Sequence, residues 1–242
     1  MINLMQGDCL ELMKDIPDGS VDMVLADPPY GTTACKWDSV IPFAPMWEQL
    51  KRVTKKSGAI VMTASQPFTS ALVMSNVKMF KYCWVWEKSK ASNFMSAKRS
   101  PLKNYEDVLV FSSTSAPYSP QFTEGEAYAP RPGKKVTEVY NSSRDHMYRN
   151  GSDGKRYPKA IQYFKTSEAE GKVVHPTQKP VALMEYMIKT YTNEGETVLD
   201  FTMGSGTTGV AAKKLNRKFI GIELDEMYFN IAKDRIDALD RK

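Results

Sequence analysis

The chain is most constrained by a repeated alternation between short apolar runs and segments whose apolar residues recur with helical spacing. The apolar runs that predict buried strands in the first part lie at 21–26, 59–62, 82–86 and 108–111. Segments 43–53 and 67–77 have helical periodicity and lie between the earlier runs. This alternation is typical of a parallel sheet that helices cover on both faces.

The C-terminal part repeats the alternation more clearly. It predicts helices at 181–191, 208–215 and 226–239, and strands at 197–199 and 219–222. Pro180 lies where a first helical turn accepts proline, and the last helix is amphipathic. The fold class predicted for the chain is therefore α/β, with a doubly wound, mostly parallel, Rossmann-like sheet.

Residues 112–172 differ from both of these parts, and we interpret them as an insertion. The segment contains five prolines and eight aromatic rings, and it shows no sustained period of a strand or a helix. A solvated linker would carry few rings, so we expect the segment to be ordered at least when a partner is bound. The chain thus divides into 1–111, the insertion 112–172 and 173–242, with the first and last parts forming one domain.

Composition argues against several classes of protein. The cysteines, Cys9, Cys35 and Cys83, form no C-x-x-C pair, and together with two histidines they predict neither a metal site nor a disulfide framework. No apolar run approaches the roughly 20 residues of a membrane span. Asp8 and Glu11 interrupt the N-terminus before a secretory leader could form, so we expect a cytoplasmic protein without a membrane partner.

Positive charge is concentrated in one stretch, residues 78–103. The formal net charge is only +5, but this stretch has seven Lys and Arg against the single acid Glu87. Trp84, Trp86 and Phe94 lie among the cations, and a surface of mixed cations and rings suits nucleic-acid bases as well as phosphates. A solvated basic surface is the alternative interpretation.

The motif Asp27-Pro28-Pro29-Tyr30 directly follows the predicted strand 21–26. Its prolines fix two φ angles and remove two backbone donors, so a rigid loop leaves the strand at the edge where ligands bind in such sheets. An exocyclic base amine is a poor nucleophile because its lone pair is delocalised into the ring. If Asp27 and the Pro28 carbonyl accept its N–H groups, the lone pair is released for attack, while Tyr30 stacks on a base flipped out of the duplex. A simple proline turn is the less favoured alternative.

The sequence D-F-T-M-G-S-G-T-T at 200–208 lies between the next predicted strand and helix. Gly204 and Gly206 would let a ligand approach the backbone, and the following helix start supplies free N–H groups. Glu223 ends the next strand, where an acid accepts hydrogen bonds from ribose hydroxyls. The loop predicts a nucleotide-like cofactor site, and by itself it leaves an NAD-dependent dehydrogenase open.

Together the two motifs resemble the amino-methyltransferases of DNA, in the permuted (beta) class whose D-P-P-Y precedes an F-x-G-x-G motif. The resemblance covers 1–112 and 173–239, and F-T-M-G-S-G at 201–206 departs slightly from the strict pattern. H-P-T-Q-K-P at 175–180 and G-D-C at 7–9 are further matches. The resemblance implies S-adenosylmethionine as the cofactor and transfer of its methyl group to a base amine.

The resemblance also implies one circularly permuted sheet. Strand 2–6 would lie beside 219–222, and the strands that end at Asp27 and Asp200 would be neighbours. The catalytic residues carried over are Asp27, Pro28, Pro29 and Tyr30. The residues assigned to the cofactor are Asp8, Cys9, Asp27, His175, Lys179, Asp200, Phe201, Thr202, Gly204, Ser205, Gly206, Thr207, Thr208, Glu223 and Leu224.

The resemblance favours the 6-amino group of adenine in DNA as the acceptor, since Asp rather than Ser begins the first motif. Carbon methylation of cytosine is disfavoured because it needs a cysteine nucleophile, typically after a proline, and no cysteine here follows one. Direct displacement on nitrogen needs only proximity and hydrogen bonding. The 4-amino group of cytosine, adenine in RNA, and a nucleic-acid-binding module without turnover stay open.

Double-stranded DNA is the expected partner, in the setting of restriction-modification. The class places its variable target-recognition segment between the two motifs, so we assign that role to 112–172 together with the basic stretch 78–103. Because 112–172 is short for a recognition domain, we also consider a homodimer. The residues expected to contact DNA are Lys88, Lys90, Asn93, Lys98, Arg99, Lys103, Arg131, Lys134, Lys135 and Arg144.

Overall fold

The chain folds as two compact units. The computed structural model describes residues 1–33, 38–132, 148–149, 151–171 and 173–241. One unit consists of Met1–Ser119 and Ala160–Lys242, and the other of Pro120–Lys159. Across the described ranges, we find no helix whose length and apolar character would let it cross a bilayer.

Twelve strands and six α-helices occur in the described residues. In chain order the strands are β1 (Ile2–Gln6), β2 (Val21–Ala26), β3 (Thr54–Ala64), β4 (Phe80–Ser92), β5 (Lys103–Phe111), β6 (Thr123–Glu124), β7 (Arg131–Pro132), β8 (Tyr148–Arg149), β9 (Lys155–Arg156), β10 (Ile161–Phe164), β11 (Thr197–Asp200) and β12 (Lys218–Glu223). The helices are α1 (Cys9–Leu12), α2 (Phe43–Val53), α3 (Phe68–Ser75), α4 (Val181–Tyr191), α5 (Thr207–Lys214) and α6 (Glu226–Asp237). Short 3₁₀ turns occur at Met13–Asp15, Phe94–Ser96, Ser167–Glu170 and Ala238–Arg241.

The larger unit contains an eight-stranded sheet in the order β1-β12-β11-β2-β3-β5-β4-β10. β5 runs antiparallel to β3 and β4, and the other described pairs of this sheet are parallel. This confirms the predicted α/β fold with a mostly parallel sheet. β1 lies beside β12 and β2 beside β11, as the permuted order predicts.

Alternate residues of the central strands face opposite sides of this sheet. On β2, Met23 and Leu25 belong to the core cluster that includes residues of α4, α5 and α6. Val24 and Ala26 belong to the cluster that includes residues of α2 and α3. All four side chains are buried. Helices therefore cover both faces, which is the doubly wound arrangement.

The helix α2 illustrates why hydrophobic periodicity predicts the helices of this fold. Its buried residues Met46, Trp47, Leu50 and Val53 recur at helical spacing and form one apolar face. Lys51 and Arg52 in its last turn complement the helix dipole. Both α2 and α4 have the predicted bounds.

The strand β4 is longer than the apolar run at 82–86 predicts. Its polar end pairs antiparallel with β5, as in Glu87↔Tyr105 and Ser92↔Lys103. Cross-strand pairing thus extends a strand that local hydrophobicity does not specify. Since β4 runs in the same direction as β3, this extended end lies at the edge where the parallel strands terminate.

The smaller unit contains two short antiparallel ladders, β6 with β9 and β7 with β8. Tyr128 also forms a bridge with Ser152. The rings of Phe122 and Tyr157 have centroids 4.9 Å apart, and the Arg156 guanidinium lies 5.0 Å from the centre of the Tyr128 ring. Aromatic and cation–π contacts thus contribute to holding the described part of this unit together.

The insertion predicted at 112–172 is longer than the smaller unit. Residues 112–119 and 160–171 lie in the larger unit, where β10 pairs in parallel with β4. Four residues are too short a pattern for periodicity to identify a strand. Of the residues expected to contact DNA, Lys134, Lys135 and Arg144 lie outside the described residues, as does the side chain of Arg131.

Candidate active site

The carboxyl ends of β1, β2, β11 and β12 meet at one edge of the sheet, and a cavity of about 1090 Å³ opens there. The predicted catalytic and cofactor-binding residues that line it are Asp8, Cys9, Asp27, Pro28, Pro29, Tyr30, His175, Lys179, Asp200, Phe201, Thr202, Gly204, Ser205, Thr207, Thr208, Glu223 and Leu224. Gly206 is not part of this lining. The fold thus brings together residues that lie far apart in the sequence.

Asp27 follows β2 directly and is held by three side-chain donors. Lys179 Nζ donates to Asp27 Oδ2 over 2.6 Å, and the Tyr30 hydroxyl donates to Oδ1 over 2.7 Å. Thr63 on β3 donates a further short hydrogen bond to the same Oδ1. Since each carboxylate oxygen can accept about two hydrogen bonds, Oδ2 retains an acceptor position for a ligand.

Lys179 belongs to a buried charge network. Its side chain is 8% exposed, and its Nζ lies 3.4 Å from Glu106 Oε2 as well as beside Asp27. Burial alone would lower the pKa of Lys179, but the carboxylates of Asp27 and Glu106 outweigh it and raise the pKa above its usual value. Lys179 therefore stays charged at neutral pH and holds two carboxylates together.

No sequence motif marks Glu106, although the structure makes it a member of this network. It lies on β5, opposite Trp86 of β4, and also forms a short ion pair with Lys88. The one signal for it is an acid two residues before the buried run Val108–Phe111 of β5, where an unpaired charge would be costly. Its partners come from separate parts of the chain, so only the fold identifies them.

Lys88, one of the residues predicted to contact DNA, is engaged in the same ion pair. The Lys88 side chain is 14% exposed and its Nζ lies 5.1 Å from the centre of the Trp86 ring. Its charge is compensated in part by Glu106. Lys88, Lys90, Asn93 and Lys103 line the cavity, whereas the predicted contacts Lys98 and Arg99 are exposed on the loop between β4 and β5.

The ring of Tyr30 stacks on Phe68, with centroids 5.1 Å apart and an interplanar angle of 22°. Burial, followed by the nearby Asp27 and Glu106, raises the pKa of Tyr30 well above its usual value. The hydroxyl thus stays protonated and acts as a donor to Asp27. The sequence predicts that the ring of Tyr30 stacks on a base, and the structure adds that its hydroxyl donates to Asp27.

The loop after the D-P-P-Y motif is organised by Asp38, which sequence reasoning does not identify. The backbone N–H groups of Gly31, Thr32 and Thr33 donate to its carboxylate over 2.8, 2.9 and 2.6 Å. Burial would raise the pKa of Asp38, but hydrogen bonds from Thr33 and from the backbone lower it. One carboxylate therefore determines how the chain leaves the motif.

At the opposite end of the cavity, the loop after β11 turns at Gly204. Glu223 Oε2 accepts the Gly204 N–H over 2.8 Å, and Oε1 accepts the Asp225 N–H over 2.9 Å. Gly204 has a φ of +51°, and a Cβ there would stand 3.8 Å from the Nε2 of His175. Burial raises the pKa of Glu223, while the backbone hydrogen bonds oppose this. The glycine leaves space that a side chain would occupy.

Negative charge is concentrated at this end. Asp200 is 3% exposed, and burial raises its pKa to about 7, opposed by hydrogen bonds from Thr208 and Thr202 and reinforced by Asp27 and Glu223. The Thr202 N–H donates to Asp200 Oδ1 over 3.1 Å. A cationic group bound here would relieve the repulsion between these carboxylates.

Asp8 caps α1 beside this cluster. Its Oδ1 accepts the N–H groups of Leu10 and Glu11 over 2.7 and 3.3 Å. Burial, with a contribution from Asp8, raises the pKa of the Cys9 thiol to about 12. Cys9 therefore stays a thiol and is a wall of the cavity rather than a nucleophile.

Gly206, which is also predicted to let a ligand approach the backbone, packs against α6. A Cβ at Gly206 would lie 2.8 Å from the Cβ of Ala232 on α6, and its φ is +76°. Arg235, also on α6, donates to Ser205 Oγ over 2.9 Å and so clamps the same turn. The structure thus requires a glycine at position 206, where the start of α5 packs on α6.

His175 lines the cavity. Its Nδ1 accepts the Thr177 N–H over 3.2 Å, and its ring meets Tyr228 edge-on with centroids 4.2 Å apart. Burial lowers the pKa of His175, so the ring is neutral at pH 7. In that state the proton resides on Nε2, on the side of Gly204.

Comparisons with known proteins point to one family. A family model described as DNA methylase, the N6_N4_Mtase family, matches residues 21–234. The type II methyltransferase M2.DpnII of Streptococcus pneumoniae is 30% identical over 261 residues, which cover 97% of this chain and 89% of that relative.

Two solved structures extend the comparison. The complex of M1.HpyAVI with SAM is similar to this chain with a TM-score of 0.66 and 27% identity, covering 97% of this chain and 100% of that one. The PvuII DNA methyltransferase, named as cytosine-N4-specific, is similar with a TM-score of 0.68 and 18% identity, covering 97% and 86%. The second likeness concerns the fold alone.

Proposed function

Because this chain belongs to the N6/N4 family of DNA methylases, we propose that it methylates the 6-amino group of adenine in DNA. It is a type II DNA methyltransferase that uses S-adenosylmethionine. The observation that carries the adenine proposal is Asp27, an aspartate at the head of the D-P-P-Y motif with an acceptor position left on Oδ2.

The end of the cavity around the 200–208 loop fits the cofactor. Bound S-adenosylmethionine supplies an electrophilic methyl group on a positively charged sulfur. The carboxylates of Asp8, Asp200 and Glu223 suit a cationic ligand, and Glu223 retains acceptor positions for ribose hydroxyls. Gly204 leaves space beside the Nε2 of His175. We assign cofactor binding to these residues.

At the acceptor end, Asp27 and the Pro28 carbonyl accept the two N–H groups of the target amine. These bonds draw the nitrogen toward tetrahedral geometry and release its lone pair. Lys179 holds Oδ2 of Asp27, while Tyr30 and Thr63 hold Oδ1, so the carboxylate is oriented before the base arrives. Such preorganised groups act without the cost of reorientation during the reaction.

The target base has to leave the duplex to reach Asp27, because the cavity lies among the ends of the strands. Lys90, Lys98, Arg99 and Lys103 are the described cations that we assign to DNA phosphates. Residues 120–159, with exposed rings and Arg156, are assigned to target recognition.

The second candidate acceptor is the 4-amino group of cytosine. Its amine presents the same chemical problem, and the fold is shared with an enzyme named as cytosine-N4-specific. The fold therefore does not discriminate between the two bases. Aspartate rather than serine at position 27 supports adenine, through the resemblance described above.

The product decides between the candidates. Purified protein is incubated with duplex DNA, or with RNA in parallel, and tritiated S-adenosylmethionine, and the digested nucleosides are identified by mass spectrometry. We expect N6-methyladenine from DNA, and about 10³-fold slower formation of it by Asp27→Asn. N4-methylcytosine would replace the adenine proposal by the second candidate, whereas cofactor binding without transfer to either nucleic acid would make the protein a binding module.

A further inference from the structure

The hairpin of β4 and β5 extends beside the cavity. β4 continues past Trp86, whose partner Glu106 belongs to the buried charge network, and ends at Ser92. We call the loop that follows, residues 93–102, the hairpin tip. Asn93 and Phe94 at its start line the cavity. The tip therefore borders the space that contains Asp27.

The hairpin tip is an ordered turn. Asn93 adopts a left-handed conformation with a φ of 67° and precedes a 3₁₀ turn. The N–H groups of Ser96, Ala97 and Arg99 donate to the carbonyls of Asn93, Phe94 and Ser96 over 3.0, 3.1 and 2.8 Å. Because these bonds hold the backbone, little backbone entropy is lost when the side chains of the tip enter an interface.

Two large apolar side chains at the start of this tip stand in solvent. Phe94 is 66% exposed and Met95 is fully exposed. Lys98 and Arg99 follow them, and the sequence has no acid between Lys88 and Tyr105. An apolar point surrounded by cations complements a partner with an anionic surface and an apolar interior. Duplex DNA, with phosphates outside and stacked bases inside, is such a partner.

We propose that Phe94 and Met95 enter the DNA duplex and occupy the gap that the flipped base leaves. The inference rests on the proposed function, since a base that moves to Asp27 leaves an empty place in its stack. Apolar side chains of these two types insert between base steps in other DNA-bending proteins. Lys98 and Arg99 hold the phosphates on either side, which keeps the inserted side chains in register with the gap.

The test compares Phe94→Ala/Met95→Ala with the matched control Met74→Ala/Val77→Ala. The control also removes an exposed methionine and a second exposed apolar side chain, 72% and 55% exposed, but neither lines the cavity. The methylated site is first located by sequencing modified DNA from cells that express the protein. Two synthetic duplexes then contain this site, one fully paired and one with an abasic position opposite the target base.

We expect Phe94→Ala/Met95→Ala to lose about tenfold in kcat/KM on the paired duplex and less than about twofold on the abasic duplex, whose target base is already unpaired. The control should match the wild type on both. Phe94→Leu/Met95→Leu keeps apolar bulk and should retain most of the activity on paired DNA. Met95→Glu places an anion in the base stack. It should therefore also lose activity on the paired duplex and much less on the abasic duplex.

An unchanged rate on paired DNA, or equal losses on the two duplexes, would overturn the insertion proposal. These residues are exposed, so unchanged thermal midpoints are expected and are measured for every variant. A wild-type protein that methylates neither duplex would instead overturn the proposed function. The two failures are thereby distinguished.

Discussion

Asp27 and Glu223, which lie at the two ends of the cavity, are held in different ways. At the acceptor end, Asp27 is bound by side-chain donors, among them Lys179 and Tyr30. At the cofactor end, Glu223 is bound by backbone N–H groups, including that of Gly204. A substitution can remove one side-chain donor at a time, whereas backbone donors are retained as long as the fold is kept. Substitutions at the acceptor end should therefore alter the chemical step, and those at the cofactor end should alter cofactor affinity or stability.

The largest effect is expected at Asp27. Asp27→Asn keeps the shape but removes the charge that Lys179 and the target amine share, so kcat should fall by about 10³-fold, as for other preorganised electrostatic groups. The affinity for S-adenosylmethionine, measured by calorimetry, should stay within about tenfold because the main role that we propose for Asp27 is on the acceptor amine. Asp15→Asn, at an exposed acid, is the control. An equal loss of cofactor affinity would break the division between the two ends.

Glu223 should show the reverse behaviour. Glu223→Ala leaves the Gly204 N–H unpaired and removes the acceptor for the ribose, which should weaken cofactor binding by about 1–3 kcal/mol. At saturating cofactor, kcat should remain close to that of the wild type, and Glu48→Ala on the exposed side of α2 serves as the control. Transfer assays over a range of cofactor concentrations separate the two quantities. A lower kcat with unchanged affinity would contradict the assignment.

Gly204 and Gly206 provide a second test within the cofactor loop. Both have positive φ, but an added side chain would meet different surroundings at the two positions. Gly206→Ala should lower the free energy of unfolding by about 1–3 kcal/mol, since its Cβ would meet Ala232. Gly204→Ala should cost less stability but weaken cofactor binding, since its Cβ points toward His175 across the cavity. Denaturant unfolding and calorimetry measure the two effects.

Ala232→Gly provides the control for this pair of glycines. It should recover part of the stability lost by Gly206→Ala, because it removes the nearest side-chain atom. It should recover none of the loss caused by Gly204→Ala. Equal recovery in both would show that the two positions are not distinct.

The smallest effect is expected at Glu106, and it should depend on pH. Glu106 is one of two carboxylates that raise the pKa of Lys179, so Glu106→Gln lets Lys179 lose its proton at a lower pH. The alkaline limb of the kcat–pH profile should therefore move to lower pH, with a loss of about tenfold or less at neutral pH. Glu124→Gln in the smaller unit is the control. A uniform loss at every pH would indicate a structural role alone.

The sequence predicts the frame of this site better than its electrostatics. Hydrophobic periodicity locates β2 and β11, and the motif loops at their ends follow from that placement. Glu106 escapes prediction because its ion pair with Lys179 joins residues 73 positions apart (179 minus 106). Gly204 and Gly206 look equivalent in the sequence, and only the packing of α6 shows that they differ.

The chain leaves the larger unit to form the smaller one and returns to it at a neighbouring point. The Ser119 N–H donates to the Thr190 carbonyl, and the Val85 N–H donates to the Ala160 carbonyl, each over 2.8 Å. The ring of Tyr118 meets that of Trp84, next to Val85 on β4, with centroids 6.4 Å apart. Recombination between genes at these two points would exchange the segment of the smaller unit. It would leave the hydrogen bonds of the cavity in place. Under the proposed assignment of this segment to target recognition, such an exchange changes which DNA sequence is methylated and keeps the same methyl-transfer chemistry.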